Sequence, residues 1–448
     1  MKTPPMRDIL LITWHGIHEL EIFPGLPDTG GQNIYVENMA QQIHDLYQCR
    51  VIVLNRGGFT HPYTQRMREG YSKDPDRELY VLHIHDEVEA FLRKEFLTPA
   101  LLKKAANIVP GQLFEGYTPD MIISHFWDGG MLGLYLSEVY PDAPHLWVPH
   151  EPVGMKQAPL PAAQYDDHSV HIRQRCEERI MAAAQLVGST SKLVRDDLET
   201  YYEGVYNHKI IDIFPGVNTE RFCPLESDCM PGSAIKYHAE FLNLPEELLR
   251  KPHICEFGRS DSLKDKDKAV EAFVRVAREI DDLVLFMNLD EKMEPEIAAR
   301  IHDIVAKEDM EDRVIILSPE QLPQTGHGSD IMPNLLQTAK VFITMSIMEG
   351  FGMAACEAAA CGVPVVGTEH IPVVTDVIAP GGGGRVVPGK DVDAAAKNML
   401  EILRMDEKAY SQTCLNAYQS VIPKYRWDTI VQEMFDQVHN MGVKVDLS

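Results

Sequence analysis

The stretch from Val341 to Thr368 leaves this chain the fewest folding options. Val341 to Thr344 is an apolar run of strand length, followed by a turn that holds Gly350 and Gly352. Met353 to Cys361 is rich in alanine and other small residues and favours a helix. Gly362 stops that helix, and Val363 to Val366 starts a second apolar run. The predicted unit is strand, glycine turn, helix, strand. A helix that opens just past a strand's carboxyl end presents unpaired N–H groups and the positive end of its dipole, which suits a phosphate. Two carboxylates, Glu349 and Glu357, bracket the turn. The same spacing also describes an ordinary βαβ unit with two solvated glutamates, so other stretches must decide.

A chain of 448 residues is long for a single core, and two domains are expected. The formal charge of −25 argues against nonspecific binding to nucleic acid or anionic membrane. Eight cysteines are scattered without a C-x-x-C pair, so no zinc site is expected and the thiols read as those of a reducing cytosol. Ile9 to Trp14 is too short for the apolar core of a signal peptide, and no run reaches transmembrane length. A cytoplasmic enzyme or binding protein is the expectation.

The first half repeats the opening pattern. Arg7 to Trp14 reads as a strand, Asp28 to Asn33 as a glycine-rich turn, Ile34 to Leu46 as a helix and Arg50 to Leu54 as a strand. Further strands are predicted at Leu79–Ile84, Asp120–His125, His145–His150, Gln185–Ser189 and Ile210–Val217. After Val217 the alternation restarts, with strands at Ile254–Gly258, Leu283–Met287 and Val314–Leu317 and helices at 268–280 and 294–308. Gly381–Gly384 reads as a turn, and a last amphipathic helix runs from Tyr425 to His439. Alternation of this kind means α/β architecture with two open, mostly parallel sheets. Ligands in such sheets sit beyond the carboxyl ends of the strands.

Taken in order, several of these stretches resemble one family. They are Pro27–Gln32, Ser124–Gly130 with Leu134–Ser137, His150, Phe214–Val217, Gly258–Arg259 followed by Lys264, and Glu349–Glu357. Each is weak alone, but the ordered set, from about residue 7 to 430, resembles the retaining glycosyltransferases of family 4, nearest the sucrose-phosphate synthase and sucrose synthase branch. The resemblance implies a GT-B fold: two Rossmann-like domains facing across a cleft, with a C-terminal helix crossing back to the N-domain. The implied boundaries are 1–216 for the acceptor domain, 217–424 for the nucleotide-sugar domain and 425–448 for the returning helix.

The resemblance also implies roles. Arg259 and Lys264 would neutralise the leaving diphosphate, for which an Arg fork and a Lys point charge are suited. Asp265 stands where glycine or asparagine is commoner. Glu349 would contact hydroxyls of the transferred sugar, and His150 would lie beside it. Gly30, Gly31, Gly352, Met353 and Glu357 would bind the donor, Glu357 by the ribose hydroxyls. Lys156, Arg173, Arg175, His125 and Gln32 would line the acceptor side, with the basic residues holding a phosphate. His150 is followed by Glu151–Gly154 rather than by the Ser-Leu-Gly of the sucrose enzymes, so the acceptor need not be fructose 6-phosphate.

Retention in this family is taken to proceed on one face of the sugar, with the donor phosphate accepting the acceptor's proton. No cofactor or metal is required beyond the UDP-, GDP- or ADP-sugar, and Mg²⁺ would be an accessory only. The expected partners are a nucleotide sugar and a small sugar or sugar phosphate, with neither nucleic acid nor membrane. Two alternatives stay open: transfer to a lipid or polysaccharide, and a non-catalytic sugar-nucleotide-binding protein. Glu349 and Glu357 do not read as a glycosidase pair, which needs carboxyls roughly 5–10 Å apart across one bond.

Overall fold

A computed structural model describes residues 7–20, 31–61, 65–157, 170–225, 230–260, 262–292, 294–323 and 328–445. The chain divides into two compact units. The first holds the chain up to Gly216 together with Trp427 onward, and the second holds Val217–Arg426.

The first unit is built on an eight-stranded sheet. Its strands are β1 (Asp8–Ile12), β2 (Arg50–Gly57), β3 (Gly70–Lys73), β4 (Leu79–His85), β5 (Met121–His125), β6 (His145–Val148), β7 (Leu186–Ser189) and β8 (Ile210–Asp212). They lie in the order β3-β4-β2-β1-β5-β6-β7-β8, and only the β3–β4 pair is antiparallel. Every residue of β1 is buried, as expected of a central parallel strand covered on both faces. Trp14, Trp127 and Trp147 are buried in the core beside it.

The C-terminal helix, Trp427–Asn440, belongs to this unit. Trp427 meets the Tyr35 ring edge-on at 5.0 Å, and Phe435 meets Tyr47 at 4.9 Å. The Gln437 amide accepts from the N–H of Asp212 and donates to its C=O, both at 3.0 Å, and so satisfies backbone groups on edge strand β8.

The second unit carries six parallel strands: β9 (His253–Glu256), β10 (Val284–Asn288), β11 (Val314–Leu317), β12 (Val341–Thr344), β13 (Val365–Thr368) and β14 (Gly384–Val387). Their order is β11-β10-β9-β12-β13-β14. In each sheet the chain leaves the middle in one direction and later returns to continue in the other. That switch falls between β1 and β5 in the first unit and between β9 and β12 in the second. Ligands bind α/β sheets at such points.

Two strands were not foreseen. β3 (Gly70–Lys73) is mostly exposed, and β14 opens within a glycine run. Both are edge strands, which need no apolar signal on two faces.

Candidate functional site

At the switch point of the second unit, two loops meet. One follows β9 and carries Gly258, Arg259 and Lys264; the other follows β12 and carries Glu349 and Gly352. Lys264 ends a single 3-10 turn and is buried, and its Nζ donates to Glu349 Oε1 at 2.6 Å. Ser346 Oγ donates to the same oxygen at 3.1 Å, and the Ile347 N–H donates to the Leu263 carbonyl at 2.8 Å. The two loops are thus stitched together by side chain and backbone. Arg259 is exposed on the first loop. Asp265, the unusual residue in this loop, adopts φ +43°, a left-handed conformation that aspartate tolerates better than most side chains.

Gly352 precedes the helix Met353–Ala360 with φ +104°. A Cβ here would lie 2.5 Å from Ile371 Cγ2 and 3.0 Å from Val373 Cγ1. Only glycine fits both the backbone angle and the space. The helix N-terminus at Met353 therefore opens directly from the turn, with no side chain capping its first N–H groups. Glu357 lies one turn into this helix. Burial pushes its carboxyl up to about 7, although the Arg221 guanidinium pulls it the other way. Arg221 itself is anchored by donating to the Ser329 carbonyl at 2.8 Å.

At the switch point of the first unit, His125 ends β5 and His150 follows β6. His125 Nδ1 and His150 Nε2 are 3.0 Å apart, so one donates and the other accepts. The His150 ring stacks between His125 and Phe126, each at 5.2 Å, and Tyr35 meets it edge-on at 4.9 Å. Burial drives both imidazoles down, His150 to about 3, and the neighbouring His150 adds to the lowering of His125. Both are neutral at physiological pH and act as hydrogen-bonding groups rather than cations. His125 Nε2 is buried with no hydrogen-bond partner among the described residues. Phe126 (φ +59°) and His150 (φ +58°) both hold left-handed backbone, which for such side chains is a strain found mostly at functional sites.

Two buried polar networks of the first unit have no signal of pairing in the sequence. The Asp128 carboxylate grips His15 twice, at Nδ1 (2.8 Å) and at the backbone N–H (2.9 Å). Asp128 lies inside the Ser124–Gly130 motif, but its partner is 113 residues away. The second is centred on Arg68, which donates to Glu19 at 2.7 Å, to Asn55 Oδ1 at 2.7 Å and to the His18 carbonyl at 2.9 Å. Burial would raise the Glu19 carboxyl, but His83 and Arg68 hold it down at about 2.

The acceptor-side candidates divide. Gln32 donates to Thr13 Oγ1 at 2.8 Å, which ties the first turn of the helix Gly31–Tyr47 to the end of β1. Arg173 is buried, donates to the Glu151 carbonyl at 3.2 Å and lies 3.8 Å from Glu177. Glu177 in turn accepts from the Val153 N–H at 2.8 Å, so Arg173 and Glu177 together brace the chain just after His150. Arg175 is exposed two positions on, its Nε bound back to the His171 carbonyl, and is not brought to Arg173's side. Lys156 lies in the short helix Val153–Gln157, but its side chain is outside the described residues, as is Gly30; Gly31 is exposed at the start of its helix. No cluster of three or more metal-ligating side chains occurs among the described residues, and no described helix is long and apolar enough to cross a membrane.

Two family models match the chain: "Glycosyltransferase Family 4" over residues 29–221 and "Glycosyl transferases group 1" over residues 246–419. Among curated proteins, a D-inositol 3-phosphate glycosyltransferase of Salinispora tropica is 25% identical, covering 92% of this chain and 81% of the relative. The mannosylfructose-phosphate synthase of Agrobacterium fabrum is 26% identical over 81% of this chain and 76% of its own length. Among solved structures, a sucrose-phosphate synthase from Thermosynechococcus elongatus superposes with a TM-score of 0.74 at 22% identity. It covers 97% of this chain and 99% of its own.

Proposed function

Because this chain belongs to the family 4-like glycosyltransferases of GT-B fold, and is a hexosyltransferase homologous to sucrose-phosphate synthase and its relatives, we propose the reaction it performs. It moves a hexose from a nucleoside-diphosphate sugar to a hydroxyl of a small phosphorylated acceptor, with retention at the anomeric carbon. The observation that carries this reading is the Lys264–Glu349 contact at 2.6 Å beside a glycine-opened helix N-terminus. A cation for the diphosphate and a carboxylate for the sugar are there held in one place.

In the reaction, the bond from C1 to the diphosphate oxygen breaks while a bond from C1 to the acceptor oxygen forms. The acceptor's proton passes to the departing phosphate oxygen. Arg259 and Lys264 neutralise the charge that develops on the diphosphate, usually the largest catalytic contribution. Glu349 binds hydroxyls of the sugar, and the backbone at Gly352 and Met353 meets phosphate or sugar. Glu357 accepts from the ribose hydroxyls. Neutral His150, fixed by His125, lies beside the transferred sugar and stabilises the cationic character of the ring through its lone pair or its carbonyl. Arg173 is the basic residue assigned to the acceptor's phosphate. The three relatives named above support a phosphorylated acceptor, since each is named for a phosphorylated substrate or product.

The test is a thermal-shift panel of UDP-, GDP- and ADP-sugars, followed by mass spectrometry of products formed with phosphorylated and unphosphorylated acceptors. Proton NMR of the product's anomeric centre reports the stereochemistry. Binding without turnover on any acceptor favours a non-catalytic sensor. Turnover only on lipid or glycan acceptors removes the small-acceptor assignment.

A further inference from the structure

Asn288 is the last residue of β10 and stands beside the end of β9. The two strands pair in register from Val284–His253 to Met287–Glu256, and then the β9 backbone turns away. At that point the Asn288 side chain takes over the pairing. Its Oδ1 accepts from the Gly258 N–H at 2.9 Å, and its Nδ2 donates to the Gly258 carbonyl at 2.8 Å. A primary amide presents donor and acceptor in one plane, as a peptide unit does, and satisfies both polar groups of the residue just before Arg259.

The amide is itself held. Lys266 Nζ donates to Asn288 Oδ1 at 3.2 Å and to Glu256 Oε2 at 2.5 Å. Lys266 and Glu256 are both buried, so this charge pair sits where unsatisfied groups are costly and each contact is strongly enforced. Lys266 also orients the amide, since Oδ1 must face the ammonium and Nδ2 must then face the Gly258 carbonyl. A second tie follows: the Asp290 N–H donates to Ser260 Oγ at 2.8 Å. Gly258 and Ser260, the two neighbours of Arg259, are thus both hung from the carboxyl end of β10.

We propose that Asn288, locked by the Glu256–Lys266 pair, is a positioning residue that aims Arg259 at the donor diphosphate. This rests on the role given to Arg259 above. Asn288 touches no substrate; it acts by fixing the backbone from which Arg259 projects.

Asn288→Asp keeps the size and the acceptor toward Lys266 and the Gly258 N–H but sets an anionic oxygen against the Gly258 carbonyl, and Asn288→Ala, which removes the amide without adding charge, controls for that charge. Two readouts are needed. Hydrogen exchange in ligand-free protein should rise at least tenfold at the Gly258, Arg259 and Ser260 amides in Asn288→Asp, and further in Asn288→Ala. Turnover should be followed with whichever of UDP-glucose, GDP-mannose and ADP-glucose gives the largest thermal shift. We expect kcat to fall 10- to 100-fold with KM changed less than threefold. In an Arg259→Ala background, Asn288→Asp should cost less than a further threefold, because its effect runs through the missing guanidinium. Unchanged exchange overturns the clamp, and full additivity with Arg259→Ala overturns the aiming role. If Arg259→Ala alone leaves turnover intact, the donor-loop role proposed above fails with it, while the exchange result still decides whether Asn288 holds the loop.

Discussion

Glu357 offers a sharp test of the donor side, because the geometry sets a pH at which it must change state. Burial holds its carboxyl at about 7 in the ligand-free protein, against the pull of Arg221. A carboxyl with that value is about one-tenth ionised at pH 6 and about nine-tenths at pH 8. If the carboxylate is the acceptor for two ribose hydroxyls, nucleotide affinity should rise about tenfold across that interval, worth about 1.4 kcal/mol. Binding near pH 7 should release about half a proton.

The assay is isothermal titration of UDP, GDP or ADP at pH 6, 7 and 8 in two buffers of different ionisation enthalpy. Glu357→Gln is the control, since the nucleotide's own phosphate also titrates. The variant should bind more weakly at pH 8 and lose the tenfold slope. Its stability should move the other way. A carboxyl whose folded pKa lies above its unfolded value contributes stability that is complete below about pH 4.5 and is lost as pH rises through 7. Replacing it with a neutral amide should therefore stabilise the protein at pH 8 by about 3 kcal/mol, visible as a higher Tm. Equal pH slopes in the wild type and Glu357→Gln would refute the assignment to ribose.

Lys264→Ala should lower kcat far more than it raises KM, by about 100-fold or more, and steady-state kinetics that show only a raised KM would remove Lys264 from the transition state. Gly352→Ala should destabilise the second unit by about 2–4 kcal/mol, since a methyl cannot be placed 2.5 Å from Ile371 at φ +104°; urea denaturation reads this directly. Glu19→Gln should cost about 3 kcal/mol at pH 7 by leaving Arg68 buried without its carboxylate. Because the Glu19 pKa is depressed to about 2, that difference should persist above pH 4.5 and shrink as pH falls toward 2, as followed by Tm against pH. Arg173→Ala should abolish selectivity for phosphorylated over unphosphorylated acceptors, whereas Arg175→Ala, exposed and bound to its own helix, should leave it unchanged in competition assays.

The sequence by itself determined the strands and helices whose residues must be buried on two faces. β1, β5, β6, β10 and β12 are near-continuous apolar runs because both of their faces are covered, and such runs are visible without tertiary context. It also determined the glycine turn at Gly352, because one residue type alone meets that backbone demand. Edge strands β3 and β14 were hidden, since an edge needs only one face and its polar residues look like loop. The helix Pro99–Gln112 carries ordinary start signals, a Thr98 cap, Pro99 in the first turn and the run Leu101-Leu-Lys-Lys-Ala-Ala106, and only Pro110 in its last turn speaks against it.

What only the tertiary structure decided is which polar groups meet. Lys264 and Glu349 are 85 residues apart, His15 and Asp128 are 113 apart, and Asn288 lies 30 residues after Gly258. No periodicity links such pairs. They are selected by strand order, which places the ends of β1 and β5 side by side in one sheet and those of β9 and β12 side by side in the other. Burial then makes each contact obligatory, because an unpaired charge or amide at those depths costs more than the fold can spare. The same burial separated Arg173 from Arg175, which look alike in the sequence but face opposite sides of one helix.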